Sequence, residues 1–265
     1  LLQRLETLQR SVQRFGEGDL SVRVSEQGQD EVADLARQFN AAAARIEALV
    51  KTHKSLLANA SHELRSPLTR IRMGLELMGG NQPSPAFREE ILRNIAELDQ
   101  LVDEILLASR LDAREADVGT VELVDLIGLA AEECARVDAE LDVTAVPEGL
   151  EVRGVAKLLR RALRNLLENA RRYSQGDITV VLQRHDGQAQ VSVLDRGPGV
   201  PPALRERIFE PFYRLPGASE RAGGVGLGLA LVRSIAERHN GSVRCEDHAG
   251  GGACFVLRLP LALTK

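Results

Sequence analysis

Cysteine is scarce in this 265-residue chain, with three copies at Cys134, Cys245 and Cys254. No two form a CxxC pair and the number is odd, which excludes a disulfide scaffold and a zinc ribbon as organising principles. Long apolar runs are missing too: nothing approaches the ~18 consecutive apolar residues of a membrane-spanning helix. Charge of one sign is not in excess either. The 38 acidic and 34 basic residues leave a formal charge of −4, which gives no general case for nucleic-acid binding. There is no signal peptide and no initiator methionine; the chain opens inside a helical pattern (Leu1, Leu2, Leu5, Leu8) and reads as part of something longer. What is present is a 44% apolar content over a length that suits two or more domains with real cores.

Three zones follow one another. In residues 1–50, Leu5, Leu8, Val12 and Phe15 recur at helical spacing. Gly16-Glu17-Gly18-Asp19 then breaks the helix, and residues 20–24 alternate as an extended connector. Asp30 is an N-cap for a second helix, in which Val32, Leu35, Phe39, Ala42, Ile46 and Leu49 repeat every 3.5 residues as a coiled-coil seam. Residues 51–113 read as a helical hairpin. One seam runs Leu57, Ser61, Leu64, Leu68, Ile71, Leu75, Met78, the other Ile91, Ile95, Leu98, Val102, Ile105, with a turn at 79–85. From His53 to Leu57 to Ser61 there are two consecutive steps of four, so the heptad phase slips where the zones meet. Two such helices cannot bury both stripes alone, and a homodimeric four-helix bundle would. Residues 118–265 mix periods. Strands are expected at 178–183, 190–194, 242–245 and 254–259, and helices at 124–141, 156–173 and 227–239. Short hairpin links favour an α/β sandwich with a mixed sheet.

Chemistry concentrates in five places. In Ser61-His62-Glu63-Leu64-Arg65-Ser66-Pro67-Leu68-Thr69, His62 sits beside the seam. Glu63 can orient its imidazole or take its proton, leaving a ring nitrogen as nucleophile. Ser66 lies one turn on and could hold a water, and Pro67 removes a helix hydrogen bond. On the expected helix 156–173, Lys157, Arg161, Asn165 and Asn169 stand four apart, with Arg172 and Tyr173 at the far end. Such a face of amides and cations suits a Mg²⁺-bound triphosphate. Asp195-Arg196-Gly197-Pro198-Gly199 sets a carboxylate at a strand end beside glycines that admit a ligand, which suits the amino group of adenine. Phe209-Glu210-Pro211-Phe212-Tyr213 holds aromatics in a chain that is 3% aromatic, and anchoring is their simplest role. The glycines of Gly223-Gly224-Val225-Gly226-Leu227-Gly228-Leu229 open a helix whose N–H groups can face phosphates.

In that order these segments resemble the sensor histidine kinases of bacterial two-component systems, over residues 55–260. The resemblance implies that His62 is the phosphorylated residue, Glu63 its general base, and Ser66 the residue that assists dephosphorylation of the partner regulator. It implies an ATP site of N, G1, F and G2 boxes: Asn165, Asn169, Arg172, Tyr173, Asp195, Gly197, Gly199, Gly224, Gly226, Leu227 and Gly228, with Asn169 the Mg²⁺ ligand and Asp195 the adenine contact. Residues 215–222 would be the ATP lid. Residues 1–50 resemble a HAMP linker, so a transmembrane helix is expected before Leu1, with this part on the cytoplasmic side of the bacterial inner membrane. The expected whole is an all-α HAMP unit (1–50), a dimeric helical hairpin (51–113) and an α/β ATP-binding domain (118–265). Its expected partners are a second copy and a response regulator, with no nucleic acid. A catalytically silent ATP-binding scaffold and a plain ATPase are the weaker alternatives, since acceptor and nucleotide motifs occur together.

The other histidines carry no expected role. His185 lies in a hairpin turn, His248 in a glycine-rich loop, and His239 at a helix end where a cation is ordinary. Cys245 and Cys254 are expected to pack on neighbouring strands.

Overall fold

A computed structural model describes residues 2–78, 84–112, 118–217 and 226–262. Residues 79–83 of the turn expected at 79–85, Gly224 and most of the expected lid lie outside these residues. The chain divides into two compact units, Leu1–Ser61 and His62–Lys265.

In the first unit, helix α1 (Leu2–Gly16) and the N-terminal part of helix α2 (Glu31–Met78) are joined by the extended connector. Asp30 caps α2 as expected: its Oδ1 accepts from the N–H of Ala33 at 3.0 Å, and Oδ2 from Arg4 at 2.6 Å. The Ala33 bond foremost holds its carboxyl below the usual range. Asn40 pins the connector, donating to the Val24 carbonyl and accepting from its N–H, both at 2.8 Å. Phe15 and Phe39 meet edge to face. Helix α2 is 48 residues long and includes Pro67; it runs through position 50, where the sequence has neither glycine nor proline to stop it. Around the phase slip the buried residues are Leu56 and Ala60; Leu57 and Ser61, expected on the seam, are exposed.

The second unit contains the end of α2 and helix α3 (Pro85–Asp112). Its α/β layer comprises strand β1 (Glu122–Asp125), helix α4 (Leu126–Val137), β2 (Glu140–Asp142), β3 (Glu151–Gly154), helix α5 (Ala156–Tyr173), β4 (Thr179–His185), β5 (Gln188–Leu194), helix α6 (Gly228–Arg238), β6 (Ser242–Asp247) and β7 (Ala253–Pro260). The main sheet has the order β2-β4-β5-β7-β6; β2 and β4 are parallel and the other pairs antiparallel, so it is mixed as expected. Strands β1 and β3 form a separate antiparallel pair. The helix expected at 124–141 is shorter and flanked by strands. Asp125 Oδ1 accepts from Ile127 N–H to start it at Leu126, and Asp138 turns left-handed (φ 54°) to end it.

The seam expected on α3 is half-exposed or exposed, with Ile95 and Val102 among the open positions, as are Leu68 and Leu75 on α2. A different stripe is buried: Asn94, Leu101, Glu104, Ala108 and Leu111. Helix α3 thus carries two stripes, and this one packs toward α6. His239 caps α6, but not as a cation. Its Nε2 accepts from Val155 N–H at 3.1 Å, its Nδ1 lies 2.7 Å from the Ile235 carbonyl, and burial foremost lowers its pKa. Cys245 and Cys254 are on adjacent strands, but Cys245 pairs with Phe255, so the two point to opposite faces. Burial raises all three thiols, that of Cys134 to about 11, which leaves them packing groups.

Candidate active site

One cavity of the second unit gathers Asn165, Asn169, Arg172 and Tyr173 from α5, Asp195 and Gly199 from beyond β5, and Gly226 and Gly228 at the opening of α6. Helix α5 supplies four of them because its apolar stripe (Leu158, Ala162, Leu166, Ala170) turns to the core and leaves the adjoining line to the cavity. Asn165 is itself buried, and its Nδ2 donates to the Gly228 carbonyl at 3.2 Å. Asn169 is half-buried in the wall, and among the described residues its amide has no hydrogen-bond partner.

Asp195 is 3% exposed and firmly set. Its Oδ1 accepts from the N–H groups of Gly197 at 2.9 Å and Ala253 at 3.1 Å, so Oδ2 is left to face the cavity. Gly197 is outside the wall and makes this turn possible: a Cβ there would meet the Tyr173 carbonyl oxygen at 2.5 Å. Gly226 has φ +79°, and its carbonyl accepts from Phe212 N–H at 2.9 Å. Leu227 is fully buried, leaving its backbone as what it can offer a ligand. Phe209 packs edge to face on Phe255, which is the anchoring role expected of that segment.

His62 and Ser66 are exposed on α2 and do not line the cavity, whereas Glu63 is tied to its rim. Arg214 Nη2 donates to Glu63 Oε2 at 2.9 Å, and Arg214 is a lining residue. Ser66 Oγ lies 3.5 Å from Arg70 Nη1; the same guanidinium binds Asn94 at 2.9 Å and Glu97 at 2.8 Å.

Sequence reasoning missed one wall of the cavity altogether. Helix α3 contributes Glu97, Gln100, Leu101 and Glu104, and Tyr213 and Arg214 close the side beyond Phe209. Burial foremost raises the Glu104 pKa, against a Gln100 hydrogen bond and Arg161 at 3.6 Å. The buried i, i+3 and i+4 stripe of α3 was the available signal for this wall. Among the described residues no cluster of histidine, cysteine or carboxylate side chains could hold a metal unaided. The residues present still fit Mg²⁺ carried in by a triphosphate, because Asn169 offers a free amide oxygen to an ion that keeps phosphate and water ligands.

Three family models match the chain in turn: the HAMP domain over residues 1–48, the His Kinase A (phospho-acceptor) domain over 52–114, and the histidine kinase-, DNA gyrase B- and HSP90-like ATPase over 154–263. The sensor protein RstB of Escherichia coli (strain K12) is 36% identical over 260 residues, covering 96% of this chain and 59% of RstB. The signal transduction histidine-protein kinase/phosphatase MprB of Mycobacterium sp. (strain KMS) is 34% identical over 252 residues, 88% of this chain and 48% of that protein. Full-length ShkA, solved in complex with AMPPNP, superposes with a TM-score of 0.54 at 26% identity, covering 80% of this chain and 46% of that one. The chain thus spans about half the length of the curated relatives it matches. Among the described residues no helix is long and apolar enough to cross a membrane. With three family models in this order and 36% identity along nearly its whole length, the chain belongs to the two-component sensor histidine kinases.

Proposed function

We propose that the chain uses ATP to phosphorylate His62 and passes the phosphoryl group to an aspartate of a response regulator. The observation that carries this is the Arg214–Glu63 ion pair, which joins the neighbour of the acceptor histidine to a cavity lined by N-box, G1 and G2 residues. In this reading Asp195 Oδ2 accepts from the adenine amino group, while Oδ1 is held by two backbone donors. Arg172, Asn165 and the backbone opening α6 receive the phosphates. Mg²⁺, held by Asn169, would neutralise charge on the phosphates. One ring nitrogen of His62 forms the N–P bond as the bond from the γ-phosphorus to the bridging oxygen breaks, and ADP leaves with that electron pair. Glu63 takes the proton from the other ring nitrogen. Positioning supplies most of the catalysis.

Ser66 is assigned to hold a water against the phospho-aspartate of the regulator, and the kinase/phosphatase name of MprB supports a two-way activity. Exposed Leu68, Leu75, Ile95 and Val102 supply the face for a second copy in a four-helix bundle. The segments are read as a HAMP unit (1–50), a phosphoacceptor hairpin (51–113) and a catalytic domain (118–265). The longer protein is assigned to the bacterial inner membrane, with these residues on its cytoplasmic side; the HAMP match supports this. The test is incubation with Mg²⁺ and ATP labelled at the γ-phosphate. Acid-labile, alkali-stable label that chases onto a regulator receiver domain is expected; release of free phosphate alone would favour a plain ATPase.

A further inference from the structure

His248 stands outside the cavity wall, half-buried in the turn between β6 and β7. Its Nδ1 lies 2.7 Å from the main-chain carbonyl oxygen of Asp195, 53 residues earlier in the chain. A carbonyl can only accept, so at that distance Nδ1 carries the proton and donates it. The turn is built to bring the ring there. Gly252 (φ +105°) has to lack a side chain, because a Cβ would collide with the same carbonyl oxygen. Asp247 pairs with Arg205, and Arg196 Nη1 donates to the Ala249 carbonyl at 3.2 Å, which fastens the turn on either side of His248. From the opposite direction, Ser174 Oγ accepts from the Arg196 N–H at 3.2 Å.

We propose that His248 is a positioning residue for base recognition, and that it acts through Asp195 by fixing the peptide plane from which that carboxylate is aimed. The inference rests on the adenine assignment of Asp195 above. The Asp195 carbonyl and the Arg196 N–H belong to one planar peptide unit. His248 holds that unit by its oxygen and Ser174 by its hydrogen. The unit before it is held as well, since the Asp195 N–H donates to the Ala253 carbonyl at 3.0 Å. With both planes fixed, the direction in which the side chain leaves Cα is fixed. The two backbone donors on Oδ1 then set its rotation and so the place of Oδ2. Without the imidazole, one end of the second plane is free, and the carboxylate can turn away from the line a short hydrogen bond needs. The phosphates, in the reading above, rest on α5 and the opening of α6, so the loss falls on the base.

Calorimetric titration of the 265-residue chain with Mg²⁺-ADP, and with the Mg²⁺ complex of purine riboside diphosphate, isolates the base contact, because the second ligand is ADP without its amino group. The parent should prefer ADP about tenfold, the worth of one hydrogen bond to a carboxylate. His248→Ala should cut that preference to about threefold by weakening ADP, with affinity for the analogue held within about twofold. His248→Asn, whose amide can place a donor where Nδ1 stands, should restore most of the preference and guards against a folding defect in the alanine variant. His248→Asp, which sets an acceptor against the carbonyl, should not restore it. On a background of Asp195→Ala, His248→Ala should change the ratio no further. An ADP-to-analogue ratio unchanged in His248→Ala, including one kept while both ligands weaken together, overturns the proposal while the adenine assignment stands. Rescue by His248→Asp as complete as by His248→Asn overturns it too. A parent chain that binds the two ligands equally overturns the adenine assignment, and the proposal with it.

Discussion

Asn165 Nδ2 and the carbonyl oxygen of Gly228 meet at 3.2 Å across 63 residues of sequence, tying the middle of α5 to the first turn of α6. The bond sets the spacing between two walls of the cavity. Asn165→Ala should therefore cost about 1 kcal/mol of stability, the ordinary worth of such a bond, and weaken nucleotide binding more than that loss alone accounts for. Thermal melts with and without Mg²⁺-ADP check both parts.

Asp195 is committed through Oδ1 to Gly197 and Ala253, which leaves Oδ2 as the acceptor for a base. Asp195→Asn replaces one acceptor oxygen with a donor, so either a backbone partner or the adenine amino group loses its acceptor. Affinity for ATP should fall about tenfold, and the preference for ATP over GTP should shrink. Competition titrations of parent and variant with the two nucleotides measure it.

Glu133, whose side chain is 2% exposed, takes two bonds of 2.9 Å from Arg164 and one of 3.1 Å from Arg160. The Arg164 bonds foremost hold its carboxyl below the usual carboxylate range. A carboxylate depressed in the folded state stabilises fully above its unfolded pKa, and that contribution is lost as pH falls through the folded value. Glu133→Gln should cost about 2 kcal/mol at neutral pH, the partial exposure of both arginines moderating the loss, and should flatten the melting-temperature curve below pH 4.5.

His239 works by the opposite charge logic and gives a second pH signature. Its pKa lies below 6.5 in the fold, chiefly through burial, so the unfolded chain binds the proton more readily. The stability it contributes is complete above pH 6.5 and declines as pH falls toward the folded value. Denaturant melts between pH 8 and 5 should show that slope in the parent and lose it in His239→Gln, whose amide oxygen can still accept from Val155.

Periodicity made β4 to β7, α5 and α6 legible, because each is long enough to repeat its pattern and has one face on the core. Strands β1, β2 and β3 escaped it. They are three or four residues long, each opens on a glutamate, and only remote partners make them strands: Val124 pairs with Val152, and Leu141 with Val180. Among site residues, those in compact motifs could be read directly. Arg214 could not, since its meaning lies in Glu63, 151 residues away. Glu104 escaped notice because its neighbours on the α3 seam drew attention to the other stripe. Where a chain has five histidines, spacing alone also cannot say that His239 is half-buried and accepts a backbone hydrogen bond through its ring while His62 is open to solvent.

Site-resolved mass spectrometry of the 265-residue chain, after incubation with Mg²⁺-ATP and work-up at alkaline pH, tests the central claim most directly. The account predicts phosphohistidine at His62, none at His53, His185, His239 or His248, and loss of the modification in His62→Gln even though that variant still binds ADP. Modification at another residue, or an unmodified His62 in a chain with nucleotide bound, would contradict it.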